Sequence, residues 1–372
     1  MANEPKGSKF DREIMGRCID LAKTAAGKTA SNPLVGSVIV KDGEIIGEGF
    51  HPSFGQPHAE VFALQDAGEK AKGATVYVNL EPCNHYGKTP PCSEALIKAQ
   101  VSKVVAGMVD PDPRVAGGGI KKLQDAGVEV IVGVEEVACK KLNEVFIHRI
   151  LHQQPFGLLK YAMTLDGKIA ATTGHSAWVT GKASRHLVHQ VRSTCDAIII
   201  GGNTVRQDNP NLTTHGVTDH NPLRVVMSRS LDLPDECNLW QTDIAATLVF
   251  TETNSNQTLQ QKLAQKKVEV IEVEQLSPKI VMEHLYQRDL SKIFWECGGT
   301  LAAKAIADGV IQKVMAFIAP KIIGGVSAPS PVGDLGLTTM TEALQLQQIK
   351  TQIIDGDILI EGYLSQKAYG ER

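Results

Sequence analysis

Four residues in the first quarter of the sequence have the types and order for metal chemistry. They are His58 and Glu60 in "PHAE", and Cys83 and Cys92 in "LEPCNHYGKTPPC". Two thiols in a loop stiffened by Pro82, Pro90 and Pro91 could form a disulfide, a redox pair or half of a metal site. Seven cysteines, an odd number in a chain whose start has no apolar signal segment, argue against a disulfide framework and for thiolate ligands. Two thiolates and one imidazole hold zinc tetrahedrally and leave a fourth place for water. That water loses a proton near neutral pH. Glu60 then suits the proton carrier, because it cannot also be a ligand if the fourth place stays open. A purely structural site needs a fourth protein ligand, and His85 is the candidate. Cys18, Cys139, Cys195, Cys237 and Cys297 stand alone in apolar or helical contexts and read as core residues.

Positioning these groups puts conditions on the elements around them. Residues two apart on a helix point roughly opposite ways, so His58 must sit at a helix start, where Pro57 places it. Cys92 should likewise open a helix, whose N-terminal dipole favours a thiolate. An amphipathic helix is expected over 11–26, then a hairpin in "LVGSVIVKDGEIIGEGF" turning at Asp42-Gly43. The helix "HAEVFALQDAG" and strand "ATVYVNL" precede the cysteine loop, and helices and strands alternate from there to about residue 150. That alternation implies an α/β sandwich around a largely parallel sheet. "HQQPFG" at 152–157 reads as a joint, giving domains 1–150 and 151–372. The second domain is another α/β series, with strands such as "DAIIIGG" and "KIFWECGG" running into glycine pairs. Such strand ends can offer backbone N–H groups to phosphate, although neither is a G-x-G-x-x-G motif.

Bulk properties narrow the function classes. The chain has 372 residues, 42% apolar and 21% charged, with a net charge of −3 and basic residues never clustered beyond pairs. A phosphate-tracking surface for DNA or RNA is therefore not expected, while a compact anionic ligand is. No apolar stretch reaches membrane-spanning length. The first residues resemble neither a signal nor a transit peptide, so a cytoplasmic protein is expected.

"H-A-E" followed by "P-C…C" matches the zinc-deaminase signature, with the Glu outside the coordination shell. Most deaminases of that superfamily carry Cys-x-x-Cys. The eight-residue insert here resembles the bifunctional deaminase/reductase family of riboflavin biosynthesis. So do "NPLVG" at 32–36, "GEGFH" at 47–51, "DPDPR" at 110–114, "KYAMTLDGKIA" at 160–170, "GGNTVRQDNPNLT" at 201–213 and "ECGGTLA" at 296–302. The resemblance implies a cytidine-deaminase-like three-layer α/β domain followed by a dihydrofolate-reductase-like α/β domain. It implies zinc and NADPH as cofactors and a phosphoribosylaminopyrimidine as substrate. It also implies metal ligands His58, Cys83 and Cys92, a catalytic Glu60, and substrate contacts from Asn32, His51, Lys88 and Asp110. In the second domain it implies cofactor contacts from Lys160, Ala162, Trp178, Thr204, Asp208, Gly298, Gly299 and Thr300. Ser176, Arg192, Leu212 and Glu296 would face the ribosyl substrate.

Three positions depart from the family pattern. Asp112 stands where Asn is usual, His215 where an Arg binds substrate phosphate, and Ser228-Arg229 where Asp precedes Ser or Thr. A neutral His is a poorer phosphate clamp than a guanidinium. A deaminase with a decayed second half, a nucleic-acid base deaminase and a structural zinc module are the competing readings. Two α/β domains with abundant apolar surface point to a homo-oligomer.

Overall fold

The computed structural model describes residues 6–86 and 90–365. The chain divides into two compact units, Met1–Gln153 and Gln154–Arg372.

The first unit runs α1 (Lys9–Lys23), β1 (Gly36–Lys41), β2 (Glu44–Phe50), α2 (Ala59–Ala67), β3 (Thr75–Val78), α3 (Cys92–Lys98), β4 (Lys103–Ala106), α4 (Gly118–Asp125), β5 (Glu129–Val132), α5 (Glu136–Leu142) and α6 (Glu144–His152). Helix α1 starts at a capping box, Ser8 with Asp11, and buries Ile14, Met15, Cys18, Ile19 and Ala22 at helical spacing. Asp42 and Gly43, both at positive φ (51° and 83°), make the β1–β2 turn. The sheet order is β2-β1-β3-β4-β5. It is mixed rather than largely parallel, because β1 pairs antiparallel with both β2 and β3. The hairpin forces the first of these pairings: two strands joined by two residues cannot run the same way.

Glycines set the layers. A Cβ on Gly36 would lie 2.1 Å from the Cys18 carbonyl oxygen on α1. A Cβ on Gly47 or Gly49 would strike the α2 backbone at 2.5 Å and 2.4 Å. Gly49 lies opposite Ser37, one residue from Gly36, so α1 and α2 pack on opposite faces of the sheet. The result is three layers with one core between them.

The second unit runs β6 (Phe156–Thr164), α7 (Lys182–Arg192), β7 (Ala197–Gly201), α8 (Gly202–Asp208), β8 (Leu223–Met227), β9 (Thr247–Glu252), α9 (Gln257–Gln265), β10 (Glu269–Val273), α10 (Pro278–Gln287), β11 (Lys292–Trp295), α11 (Gly299–Ala307), β12 (Lys313–Ala319), β13 (Leu346–Ile354) and β14 (Asp357–Leu364). Its sheet order is β10-β9-β8-β7-β11-β6-β12-β14-β13. Strands β10 through β12 are parallel, and β14 and β13 close the sheet as an antiparallel hairpin. The parallel strands are near-continuous apolar runs such as "AIIIG", covered on both faces by separate apolar clusters. Strand β11 inserts between β7 and β6, so the chain order reverses there. Ligands of open α/β sheets bind at the carboxyl ends of strands at such a point.

Arg224 on β8 is fully buried. Its guanidinium donates to five backbone carbonyls, those of Asn211, Asn238, Leu239, Gln241 and Ala245. It pins the loop 209–212 to the loop 237–245 from below, and burial holds its pKa below the ordinary guanidinium value. Among the described residues no helix is long and apolar enough to cross a membrane.

Candidate active site

His58 is the N-cap of α2, in extended conformation (φ −75°, ψ 163°), and Glu60 lies in the first turn. The cap position breaks the helical phase between them, which lets both side chains reach one point. Cys92 is the first residue of α3, behind Pro91. Cys83 lies in the loop after β3. The His58 Nδ1 atom is 3.5 Å from Cys83 Sγ and 3.3 Å from Cys92 Sγ. Zinc–sulfur and zinc–nitrogen bonds at the tetrahedral angle would place such atoms about 3.6 Å apart, so both His58–Cys distances suit zinc, and all three ligand atoms lie within 4.8 Å of one another. These three are the described cluster able to hold a metal, and His85, exposed in the loop, is outside it. Among the described residues the closed four-ligand alternative therefore lacks its fourth ligand.

The electrostatics suit the same role. The Cys92 backbone N–H donates to Cys83 Sγ at 3.3 Å. Hydrogen bonds from the Cys92 thiol and then His58 pull the Cys83 thiol down to about 4, while its thiolate and burial hold the Cys92 proton on. Metal binding by such thiols releases their protons. Glu60 is 3% exposed. Burial, then the Cys83 thiolate, push its carboxyl up to about 7. A carboxyl held there can take a proton and return it, the property a general acid–base needs.

Asn32 and His51 border this centre. The His51 Nδ1 lies 3.0 Å from the Pro57 carbonyl, which assigns the proton to Nδ1 and leaves Nε2 to accept from Asn32 Nδ2 at 3.0 Å. Burial depresses the His51 pKa, keeping it neutral, and its ring meets His58 edge-on at 5.7 Å. Asn79 and Asn143 clamp the backbone N–H and carbonyl of Leu34 and so hold the "NPLVG" turn. Asp110 is partly buried, and burial raises its pKa. Asp112 is spent on Arg114, which grips it through Nε and Nη2 and holds its carboxyl down to about 2. Lys88 lies outside the described residues.

In the second unit, the described side chains form separate groups around β6, α7, α8 and the end of β11. Arg192 on α7 makes a two-point ion pair with Glu296, Nε–Oε1 2.6 Å and Nη2–Oε2 3.1 Å, and donates to the Thr213 carbonyl at 2.9 Å. Lys160 on β6 stands 3.9 Å from Glu296 Oε2, a neighbouring charge rather than a hydrogen bond. Asp208 accepts from the Ser176 hydroxyl at 3.1 Å. Trp178 is exposed at φ 63°, with the Arg185 guanidinium 4.1 Å over its ring and Lys321 Nζ 2.6 Å from its carbonyl. Gly298 caps α11 with open space where a Cβ would stand, and Gly299 and Thr300 begin that helix. Thr204 lies on α8 and Ala162 on β6. Leu212 is a core residue at φ 52°, so its backbone, not its side chain, is what a ligand could meet. Ser228 is buried beneath Gly202. Asp357 was not foreseen; it accepts from Gly181 N and Ser184 Oγ, at 2.7 Å and 2.6 Å, and so fixes the start of the helix bearing Arg192.

His215 stacks on His189, ring centroids 4.1 Å apart, beside Arg192. Burial, then Arg192 and then His215, push His189 down to about 4, with Glu296 opposing and His186 a minor neighbour. An unfolded His titrates near 6.5, so between these values the unfolded chain binds the extra proton and stability falls as pH falls. After discounting for solvent screening, going from about pH 7.5 to about 5.5 should cost roughly 1 kcal/mol from this group. Thermal melts of the protein and His189→Gln at both values check this: the variant should lose less on acidification.

Comparisons with known proteins agree with this geometry. Residues 8–108 match the cytidine and deoxycytidylate deaminase zinc-binding region, and residues 155–360 match the RibD C-terminal domain. The chain is 62% identical to the riboflavin biosynthesis protein RibD of Synechocystis, covering 95% of this chain and 96% of that one. It is 43% identical to the maize riboflavin biosynthesis protein PYRR, named chloroplastic, over 95% of this chain but 60% of the longer maize protein. The crystal structure of a Thermotoga maritima diaminohydroxyphosphoribosylaminopyrimidine deaminase/5-amino-6-(5-phosphoribosylamino)uracil reductase superposes with a TM-score of 0.83 at 35% identity, covering 96% of this chain and 99% of that one. With a deaminase zinc-binding region ahead of a reductase domain, and near full-length identity to such proteins, the chain belongs to the RibD family of bifunctional riboflavin-biosynthesis enzymes.

Proposed function

We propose that the unit Met1–Gln153 hydrolytically deaminates 2,5-diamino-6-(5-phosphoribosylamino)pyrimidin-4-one, and that Gln154–Arg372 reduces the ribosyl chain of the aminouracil product to ribityl. The observation that carries the first step is the triangle of His58, Cys83 and Cys92 with the buried Glu60 beside it. His58, Cys83 and Cys92 would hold zinc, which would supply an activated water near neutral pH. Glu60 would take one proton from that water as its oxygen bonds the amino-bearing carbon, pass it to the adjacent ring nitrogen, and then carry the new hydroxyl's proton to the departing amine. The C–N bond breaks, a carbonyl replaces it, and ammonia leaves. Asn32, oriented by neutral His51, and Asp110 hold the pyrimidine edge, while Lys88 offers a cation to the phosphate.

In the second unit NADPH supplies the hydride. Gly298, Gly299 and Thr300 at the α11 start suit the cofactor's phosphates, and Lys160, Ala162, Trp178, Thr204 and Asp208 complete that side. Ser176, Arg192, Glu296 and the Leu212 backbone face the sugar. We read the protein as cytoplasmic and as a homo-oligomer, without nucleic-acid or membrane partners.

The test couples both steps. Purified protein with zinc should release ammonia from the diaminopyrimidine and then oxidise NADPH. Removing the metal with a chelator should abolish ammonia release and leave NADPH oxidation of the deaminated intermediate intact. Ammonia release without any NADPH oxidation would restrict the function to deamination.

A further inference from the structure

Glu81 is a buried carboxylate that none of these roles uses; it is 5% exposed and separated from Cys83 by Pro82 alone. Its Oε1 accepts from the backbone N–H of Gly119 at 2.9 Å and Ile120 at 3.2 Å. Its Oε2 accepts from Gly117 at 2.9 Å and Asp110 at 3.2 Å. The Glu81 backbone N–H donates to the Met108 carbonyl at 2.9 Å, continuing the β3–β4 pairing beyond both strands. The side chain therefore satisfies the start of α4 and the turn at Asp110, while the same residue's backbone N–H holds the strand end leading into the cysteine loop.

The packing leaves no slack. A Cβ on Gly119 would sit 1.8 Å from the Pro82 carbonyl oxygen, so α4 rests directly on the residue before Cys83. Asn84 donates to the Gly118 carbonyl at 3.3 Å and accepts from the Ser93 hydroxyl at 3.2 Å, tying the far side of Cys83 to the same helix and to α3. A buried carboxylate at a helix start is often only a stabilising cap. Here one of its acceptor bonds goes to Asp110, eight residues before the helix, and its own backbone leads to a metal ligand.

We infer that Glu81 is a positioning residue for the first site: it sets the distance between the Cys83 ligand and the substrate-facing Asp110 turn. The inference rests on the deaminase reading for Asp110, but not for Cys83. An amide in its place has one acceptor oxygen and an NH2 group facing two N–H donors, so Glu81→Gln should release one side of the clamp without emptying the space.

The experiment compares the full-length protein with Glu81→Gln and Glu81→Ala. Zinc transfer to a colorimetric chelator, KM and kcat for ammonia release, and NADPH oxidation by the second unit are measured together. Loss of ligand support of this kind typically costs about 10–100-fold in metal affinity, so zinc should leave the variants at least about tenfold faster. KM should rise more than kcat falls, and NADPH oxidation should stay at the parent rate. Zinc release and KM within twofold of the parent would overturn the inference, even if the melting temperature drops, since Glu81 would then be only a cap. Should Glu81→Ala yield no folded first unit, Glu81→Gln decides on the same criteria. A parent that releases zinc slowly but produces no ammonia would sink the deaminase reading instead, and the zinc comparison would still judge Glu81.

Discussion

Glu60→Gln should bind a full equivalent of zinc yet release ammonia about a thousandfold or more slowly than the parent, the upper part of the range for losing a positioned acid–base. The metal stays because His58, Cys83 and Cys92 are untouched and the amide nearly matches the carboxyl in volume. Folding should not suffer. Burial is the main cause that raises the parent carboxyl to about 7, and a neutral amide carries no such cost of burying a charge. The loss should fall on kcat, since the proton is moved in the transition state rather than on binding. NADPH oxidation of deaminated intermediate should be unchanged, as it belongs to the other unit. Zinc analysis by mass spectrometry alongside ammonia release makes the comparison. A variant that keeps its activity would remove Glu60 from the mechanism, and one that loses its zinc would make Glu60 a ligand.

Glu296→Gln should be the most damaging single change in the second unit. The Glu296 side chain is 10% exposed and Arg192's is 11%, so their charges are screened little by water. Burial alone would raise the Glu296 carboxyl, but the Arg192 guanidinium and then Lys160 hold it below the ordinary carboxylate range. Burial in turn lowers the Lys160 amine, with Glu296 opposing that shift. Removing the carboxylate leaves two cations with no anion between them, at a cost of about 3–5 kcal/mol. For a unit of this size that is roughly a 10 °C fall in melting temperature. The sign with pH follows from the depressed carboxyl: its stabilisation is present above the unfolded value and is lost as pH falls through the folded one. NADPH oxidation should vanish while ammonia release persists. The double variant Glu296→Gln with Arg192→Met removes one cation and should recover part of the stability but none of the reduction. Recovery of both would reduce the pair to scaffolding.

These two sites differ in how much of them was legible in one dimension. The triangle of His58, Cys83 and Cys92 was, because metal-ligating types stand in a known order and each follows a proline, a residue with a strict backbone demand. Pro57 puts His58 at a cap, and Pro91 puts Cys92 at a helix start. The hairpin at Asp42-Gly43 was legible for the same reason, since only certain residues tolerate positive φ. Family resemblance singled out Arg192 and Glu296, but nothing in their local sequence says that they meet. They lie 104 positions apart, and only the insertion of β11 between β6 and β7 brings them together.

Local periodicity also failed where the environment is unusual. Strand β13, "LQQIKTQII", was not foreseen, because it lies at a sheet edge with nearly every side chain exposed and so has no alternation to read. The antiparallel β1–β3 pairing was missed, because the relative direction of strands not joined by a tight turn depends on pairing, which propensity does not encode. Glu81 passed unnoticed inside "LEPC", since a carboxylate's worth there depends on four backbone donors supplied by residues 29 to 39 positions further on. What the sequence by itself determined about this protein is which side chains meet as a candidate metal cluster, their immediate backbone and the order of most elements, because those follow from neighbours in the chain. The tertiary structure alone decided which distant charges share a buried pocket, which turns are clamped and where the sheets reverse, because those depend on packing between segments that no local pattern connects.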